Sequence, residues 1–576
     1  MKYLGLSKTM FNSGISLIED KGDSSQLLTL ITERWDRQKY SGAWPAKVLQ
    51  QIKKSHELNR LDLILENRDV MTPTEKEEMN DQHYPFYEFL KNQDLEKFVH
   101  KNNPQLKFVS HHLCHAWASA LFSPFEKSLI LVVDGSGSRF SDLELDQKMK
   151  NSSLQDENLS YECYSLYAWN GKEIKLLEKN YHQYQKTAHG PLKFSEGLGS
   201  MYEKVAQFIF NEPTASGKVM GLAAFGKPVM KKQSHFDFLN SLNWNNSFNG
   251  QRKKEWQESP HLEMYKQVAA EAQWRFEEEW LHNAIELKKN YPEYDQLILA
   301  GGCALNCTAN WKLYQQKIFK DIYVTPFPGD ESISIGLVAR PYLEKTNKNV
   351  FRQHQISFWG EPLNAPQLKL NQLEILKAKF EVVEPEDIAS FTAELISQGH
   401  VVGWFQGRSE IGPRALGHRS ILCRPDTGKA KEHLNKFVKF REDFRPYGST
   451  VLFEHAARFF ETPRGFDNSF MSFAVPVKGA WKELLSDIVH KDGTCRMQTL
   501  KSEQDELYYR LLKEVEERIG MALVLNTSLN IMGQPILETF EDLLEFLEKV
   551  NLTGVAYGNV FVYTKAGTKA PHLAGK

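Results

Sequence analysis

The string HHLCHA at 111–116 sets His111 and His115 four residues apart. On a helix that spacing puts both imidazoles on one face, and an i, i+4 pair can hold one first-row metal ion from a single turn. A metal needs at least one more donor, commonly a carboxylate. In FPGDESISIG, Asp330 follows a glycine at the exit of an apolar run and could supply it. A helix N-cap is the competing use of that residue. Histidine pairs on helices also serve packing and hydrogen bonding, so the spacing alone leaves the metal open.

Two strings offer bare backbone to an anion. LVVDGSGS (131–138) brings Asp134, Gly135 and Gly137 to the end of an apolar run, and LILAGGCALN (297–306) brings Gly301, Gly302 and Asn306. Glycine lets backbone N–H groups approach a phosphate closely, and the Asn306 amide can hydrogen-bond a nucleotide. An ordinary turn is the plainer reading of both. The C-terminal half is more telling. GRSEIGPRALGHRS (407–420) sets Arg408, Arg414 and Arg419 among Gly and Pro, and VKFREDFRPYGS (438–449) adds Lys439, Arg441 and Arg445. The guanidinium fork suits phosphate and carboxylate, and arginines held beside turn residues point to an anion pocket over a structural ion-pair network. LNTSLN (525–530) adds Asn526, Thr527, Ser528 and Asn530, small donors and acceptors able to position a nucleotide.

Elements must hold these groups. Residues 2–20 read as two strands with a turn at Asn12-Ser13-Gly14, and 45–105 as long helices or an inserted surface segment. Buried strands are expected at 128–138, 295–306 and 322–332, and a long helix at 261–290. A polar stretch at 341–375 reads as a boundary. A second α/β pattern follows, with strands at 399–407 and 521–528 and a helix at 541–550. No internal repeat is visible.

With 576 residues, 41% hydrophobic and 25% charged, the chain is expected to form more than one domain of ordinary globular composition. A net charge of −2 does not favour a nucleic-acid partner, although a local basic cleft is compatible with it. Cys114, Cys163, Cys303, Cys307, Cys423 and Cys495 form no C-x-x-C pair, which argues against a zinc ribbon and a disulfide framework and for reduced thiols. MKYLGLS does not resemble a signal segment, and no apolar run approaches the roughly 18 residues of a membrane helix. A cytoplasmic protein without membrane contact is expected.

HHLCHA, GKVMGLAAFG, LAGGCALN, GRSEIGPRALGHRSIL, FRPYGS, DGTCRMQT and LNTSLNIMGQP, in this order, resemble the carbamoyltransferase family that includes the nodulation-factor, cephamycin and tobramycin carbamoyltransferases. The resemblance runs nearly end to end. It implies an α/β chain with an actin-like ATPase-type domain over 1–356 and a YrdC-like domain over 357–576. It implies ATP and carbamoyl phosphate as co-substrates, Mg for the ATP, and a carbamoyl-adenylate formed in the rear domain. The front domain would pass the carbamoyl group to a hydroxyl of a sugar or other natural product. By that resemblance His111, His115 and Asp330 bind a divalent metal, iron. Arg414, Lys439, Arg445 and Ser528 form the expected catalytic set. Asp134, Gly135, Gly137, Gly301, Gly302, Asn306, Arg496, Asn526 and Asn530 form the expected cofactor-binding set.

One departure stands out: Phe11-Asn12 occupies the place where the family usually carries a His-Asp pair. His112 or His189 is then a candidate base. A hydroxymethylated nucleobase or nucleoside, free or in DNA, is an alternative acceptor, and a non-catalytic nucleotide-binding regulator an alternative function. A homodimer is compatible with the sequence, which does not identify the acceptor.

Overall fold

The computed structural model describes residues 1–9, 12–56, 61–68, 106–154, 156–187, 190–194, 197–250, 255–346, 349–353, 355–363 and 370–565, with positions 58, 89 and 93. Three sheets carry the fold. The first contains β1 (Lys2–Lys8), β2 (Ser13–Glu19), β3 (Gln26–Ile31), β4 (Leu63–Arg68) and β5 (Leu106–Phe108), in the order β3-β2-β1-β4-β5. The second contains β6 (Ser128–Val133), β7 (Ser160–Trp169), β8 (Ile174–Thr187), β9 (Gly190–Phe194), β10 (Gln296–Ala300) and β11 (Asp321–Val324), in the order β11-β10-β6-β7-β8-β9.

These two sheets share one plan. Each opens with an antiparallel meander, β1-β2-β3 or β6-β7-β8, and then adds two parallel strands beside the first strand of that meander. In each, a helix follows the last of those strands: His111–Phe122 after β5 and Ile333–Lys345 after β11. The two helices cross in backbone contact, for a Cβ at Gly336 would stand 1.9 Å from the Cys114 carbonyl oxygen. Every residue of the His111–Phe122 helix is buried, so its small and apolar faces pack on all sides. A repeat invisible in the sequence is thus present in the topology.

The third sheet gathers β12 (Val382–Val383), β13 (Val402–Phe405), β14 (Arg419–Cys423), β15 (Gly448–Leu452), β16 (Val475–Pro476), β17 (Thr494–Leu500), β18 (Leu523–Ser528), β19 (Gly554–Tyr557) and β20 (Val560–Tyr563). Its order is β12-β20-β19-β13-β14-β18-β15-β17-β16. The architecture is mixed α/β. One apolar cluster runs through both halves, taking in Leu129 and Leu297 beside Leu523 and Val555. Polar ties join them as well. Arg408 donates to the Leu27, Trp359 and Gly360 carbonyls, and buried Arg34 donates to the Gly412 carbonyl at 3.0 Å and pairs with Glu538 at 3.3 Å.

Several expectations shift. The first hairpin turns at 9–12 rather than at Asn12-Ser13-Gly14: the Thr9 N–H donates to the Asn12 carbonyl at 2.9 Å, and Ser13 and Gly14 already pair with β1. The Ile333–Lys345 helix runs through Pro341, past the expected start of a boundary. Within 45–105 the structure describes a helix at Ala46–Ser55 and β4; most of that segment lies outside the described residues. Asn526, Thr527 and Ser528 lie on β18, inside the strand expected at 521–528.

Candidate active site

The His111–Phe122 helix presents His111 and His115 from its first turns, and its leading N–H groups are met from outside the helix. Ser110 N–H donates to the Glu144 carboxylate, His111 N–H to Ser138 Oγ at 2.9 Å, and His112 N–H to Glu162 Oε2 at 3.3 Å. Two carboxylates close on the rings. Asp134 stands just after β6, and Asp330 lies in the single turn Asp330–Ser332 that leads into the Ile333–Lys345 helix. The ligand atoms of His111, His115, Asp134 and Asp330 all lie within 4.8 Å of one another. Nε2 of His115 is 3.1 Å from Nε2 of His111 and 3.0 Å from Oδ2 of Asp134; Nε2 of His111 is 3.4 Å from Oδ2 of Asp134 and from Oδ1 of Asp330.

That donor set fits a divalent metal. Ligand bonds of about 2.0–2.2 Å put neighbouring donors about 2.8–3.6 Å apart in tetrahedral or octahedral geometry. Hydrogen bonding also fixes the His115 tautomer. The Ser332 hydroxyl donates its one hydrogen to the Gly329 carbonyl at 2.8 Å, so it accepts from His115 Nδ1–H at 2.9 Å. Nε2 is left with a lone pair aimed into the cluster, as a ligating imidazole requires. Asp134 Oδ1 accepts the Gly135 N–H at 2.7 Å, which turns Oδ2 toward the rings. Asp330 makes no helix-capping bond, so the N-cap reading does not describe it.

Asp134 and Asp330 line a cavity of about 430 Å³ whose wall also carries Arg414, Arg441, Arg445 and Arg496, to which the front half adds Lys39. Burial first, then the neighbouring Arg496, pushes Arg414 down to about 10. Burial likewise brings Arg441 to about 10, where Tyr447 offsets part of the repulsion from Arg445. Lys39 is exposed at the cavity wall, near Glu33, Arg445 and Arg441. Arg496 Nε is buried without a hydrogen-bond partner. Arg445 pairs with buried Glu442 at 3.9 Å, and carboxylates share the lining, but four guanidiniums on one cavity still suit a polyanion. Beneath the wall, the Lys439 ammonium donates to the Ser528 carbonyl, to Asn530 Oδ1 at 2.6 Å and to the Asn530 carbonyl at 3.1 Å. Burial, with Arg441, Lys39 and Arg445 nearby, holds it well below the ordinary lysine value.

Residues of the front and rear halves therefore line one cavity. Gly135, Gly302, Asn306, Asn526, Ser528 and Asn530 also lie on its wall. Asn306 caps the Cys307–Gln315 helix through Ala309 N–H and bonds Gln273, so its amide is already engaged. Gly137 and Gly301 do not lie on that wall. A Cβ at Gly137 would meet Glu162 and His112, and one at Gly301, where φ is +81°, would stand 2.3 Å from the Val133 carbonyl oxygen; both glycines answer to packing. Arg408 and Arg419 are also turned to structure. Arg419 lies 3.8 Å over the Phe405 ring and donates to the Gln406 carbonyl. Arg414 belongs to both classes: it lines the cavity and donates to the Leu305 carbonyl at 2.9 Å and to that of Met471.

His112 is not a base for this cavity. Its Nδ1 meets Ser165 Oγ at 2.8 Å on the far side of the helix, and burial pushes its pKa down to about 3. His189 and Phe11 lie outside the described residues, while Asn12 is on the cavity wall. The residues missed from sequence are Asp134 as a fourth ligand atom, and Glu33, Lys39 and Glu331 on the wall. Burial, then Asp330 and Glu33, raises Glu331 to about 7. No short motif marks Glu33 or Lys39; the Thr32–Asp36 helix and the loop after it carry them across to the rear half.

A cluster able to hold a metal ion thus adjoins a cavity lined by arginines. Comparison with known proteins gives the family. The Carbamoyltransferase N-terminus model matches residues 2–339 and the Carbamoyltransferase C-terminus model residues 393–564, so the chain belongs to the carbamoyltransferase family. It is 31% identical over 482 residues to nodulation protein NolNO of Sinorhizobium fredii, covering 81% of this chain and 65% of that protein's length. It is 29% identical over 469 residues to nodulation protein NolO of Bradyrhizobium diazoefficiens, covering 79% of this chain and 78% of that protein. An uncharacterized protein of Methanocaldococcus jannaschii is 25% identical over 613 residues, covering 94% of this chain and 96% of its own.

Proposed function

We propose that this chain is an ATP-dependent O-carbamoyltransferase. Carbamoyl phosphate, ATP and water would give carbamoyl-adenylate, phosphate and pyrophosphate; an acceptor alcohol would then take the carbamoyl group and release AMP. The observation that carries this reading is one cavity lined by Arg414, Arg441, Arg445 and Arg496 together with Asp134 and Asp330, the two carboxylates of the cluster with His111 and His115. Two polyanionic substrates need such a wall to lower their mutual repulsion and to stabilise charge that grows on the departing phosphates. Enclosure protects a labile mixed anhydride from water, and a shared cavity keeps it from diffusing away before transfer.

In this reading Lys439 holds Ser528 and Asn530 in register beneath the phosphates, and Arg496, with its unpartnered Nε, grips them directly. His111, His115, Asp134 and Asp330 would hold a divalent ion, iron by resemblance, which supplies Lewis acidity when bound. Mg would accompany ATP. The acceptor, a hydroxylated sugar or other natural product, would enter from the side of Asn12, Glu33 and Tyr40. We divide the chain at 356/357 into an actin-like and a YrdC-like domain; the repeated sheet plan of the front half supports the first assignment. Among the described residues no helix is long and apolar enough to cross a membrane.

The test is pyrophosphate release from purified protein given ATP and carbamoyl phosphate. The reading predicts release that requires both substrates. Release independent of carbamoyl phosphate, or none with both present, would overturn it.

A further inference from the structure

The first hairpin turn reaches the metal cluster. Thr9 is buried, and its Oγ1 lies 2.6 Å from Oδ2 of Asp330, a residue 321 positions away. The same oxygen accepts the Asn12 N–H at 2.9 Å and lies 2.6 Å from the Asn12 carbonyl. A hydroxyl has one hydrogen to give. Both oxygens can only accept; the Asn12 carbonyl already accepts the Thr9 N–H at 2.9 Å and the charged carboxylate is the stronger acceptor, so the hydrogen goes to Asp330. Thr9 thereby fixes which way Asp330 faces. With Oδ2 held by the hydroxyl, Oδ1 is the oxygen turned to His111 at 3.4 Å and His115 at 3.9 Å.

The consequence crosses between the two sheets. Asp330 arises from the turn after β11, and Thr9 from the turn after β1. Asn12 at the other end of the Thr9 turn lies on the cavity wall. A group that contacts Asn12 is therefore two hydrogen bonds from Asp330: Asn12 N–H to Thr9 Oγ1, and Thr9 Oγ1–H to Asp330 Oδ2.

We propose that Thr9 is a positioning residue for the metal centre: its hydroxyl orients Asp330 toward the histidines and links the cavity-facing β1–β2 turn to that carboxylate. The inference rests on the metal reading of the cluster above. Groups that orient a ligand from behind are worth about 10–100-fold in metal affinity when removed. Deleting the hydroxyl while keeping the shape isolates that effect.

Co(II) is the probe, added to the metal-stripped full-length chain and followed by calorimetry and by its visible absorption spectrum. Thr9→Val is expected to bind Co(II) about 10–100-fold more weakly than the native chain with an altered spectrum, and Thr9→Ser to restore both. Wild-type affinity and spectrum in Thr9→Val would overturn the proposal. So would a Thr9→Ser variant as weak as Thr9→Val, which would show that keeping the hydroxyl does not keep the metal site. If Thr9→Val does not fold, Thr9→Ala against Thr9→Ser carries the same comparison. A native chain that binds no Co(II) would remove the metal reading itself, a result distinct from a native chain that binds and a Thr9→Val variant that binds equally.

Discussion

At Lys439 one ammonium holds together two residues that line the anion pocket. Its partners are the Ser528 carbonyl and hydroxyl and both oxygens of Asn530. Lys439→Met keeps the length and removes the charge. The buried acceptors it leaves would cost about 1–3 kcal/mol of stability, read as a lower midpoint in urea unfolding. Carbamoyl-phosphate-dependent pyrophosphate release should fall much further than stability does, since Ser528 and Asn530 lose their common anchor. A variant with normal release would detach Lys439 from the pocket. At this scale the sequence was informative where chemistry is local. His111 and His115 are read from one helical turn, and Asp330 from a glycine turn before a helix. Asp134 reads as part of a phosphate loop, because nothing in DGSG reports that β6 ends beside the histidine helix. Lys39 sits in a polar loop with no motif around it and reaches the rear-half arginines only through the fold.

The ligands meet because two helices cross. His111 and His115 ride on one, and Asp330 and Ser332 on the turn that starts the other. Gly336 sets the spacing, with the Cys114 carbonyl where a side chain would begin. Gly336→Ala is expected to force the helices apart and to cost at least about 1–3 kcal/mol, the range for overpacking a tight core, although alanine is the better helix former. Co(II) affinity should fall in the same variant, since Ser332 and Asp330 move with the displaced helix. A fall in thermal midpoint with unchanged Co(II) affinity would show that the crossing does not set the ligand geometry. Individual elements were legible in sequence: β6, β10, β18 and the Leu262–Asn290 helix fall where apolar runs and length put them. The shared plan of the first two sheets was not, since it lies in long-range pairing such as β1 with β4 and β6 with β10, which leaves no periodic trace along the chain. The first turn was misplaced for a local reason: Thr9 closes it with its hydroxyl, while Ser13 and Gly14, good turn formers, are drawn into β2 by pairing with Lys8 and Ser7.

The whole molecule places the two chemistries in one room. The halves share an apolar cluster and are tied by Arg34 with Glu538, Arg408 with Leu27, and Lys218 with Glu442 at 3.5 Å. The cavity is lined by residues of both, Asp134 and Asp330 from the front half and the arginines from the rear. Their motifs fall in separate halves of the sequence, and only packing of the halves brings them to one cavity. The account's central claim is a division of labour within that shared cavity. Its most direct test compares His111→Ala with Arg496→Ala for Co(II) binding and for carbamoyl-phosphate-dependent pyrophosphate release. His111→Ala should lose the Co(II) site yet release pyrophosphate within a few-fold of the native rate. Arg496→Ala should bind Co(II) normally and lose about 10²–10³ in release, as when one donor to a developing anion is removed. Loss of pyrophosphate release in His111→Ala, or native release in Arg496→Ala, would contradict it.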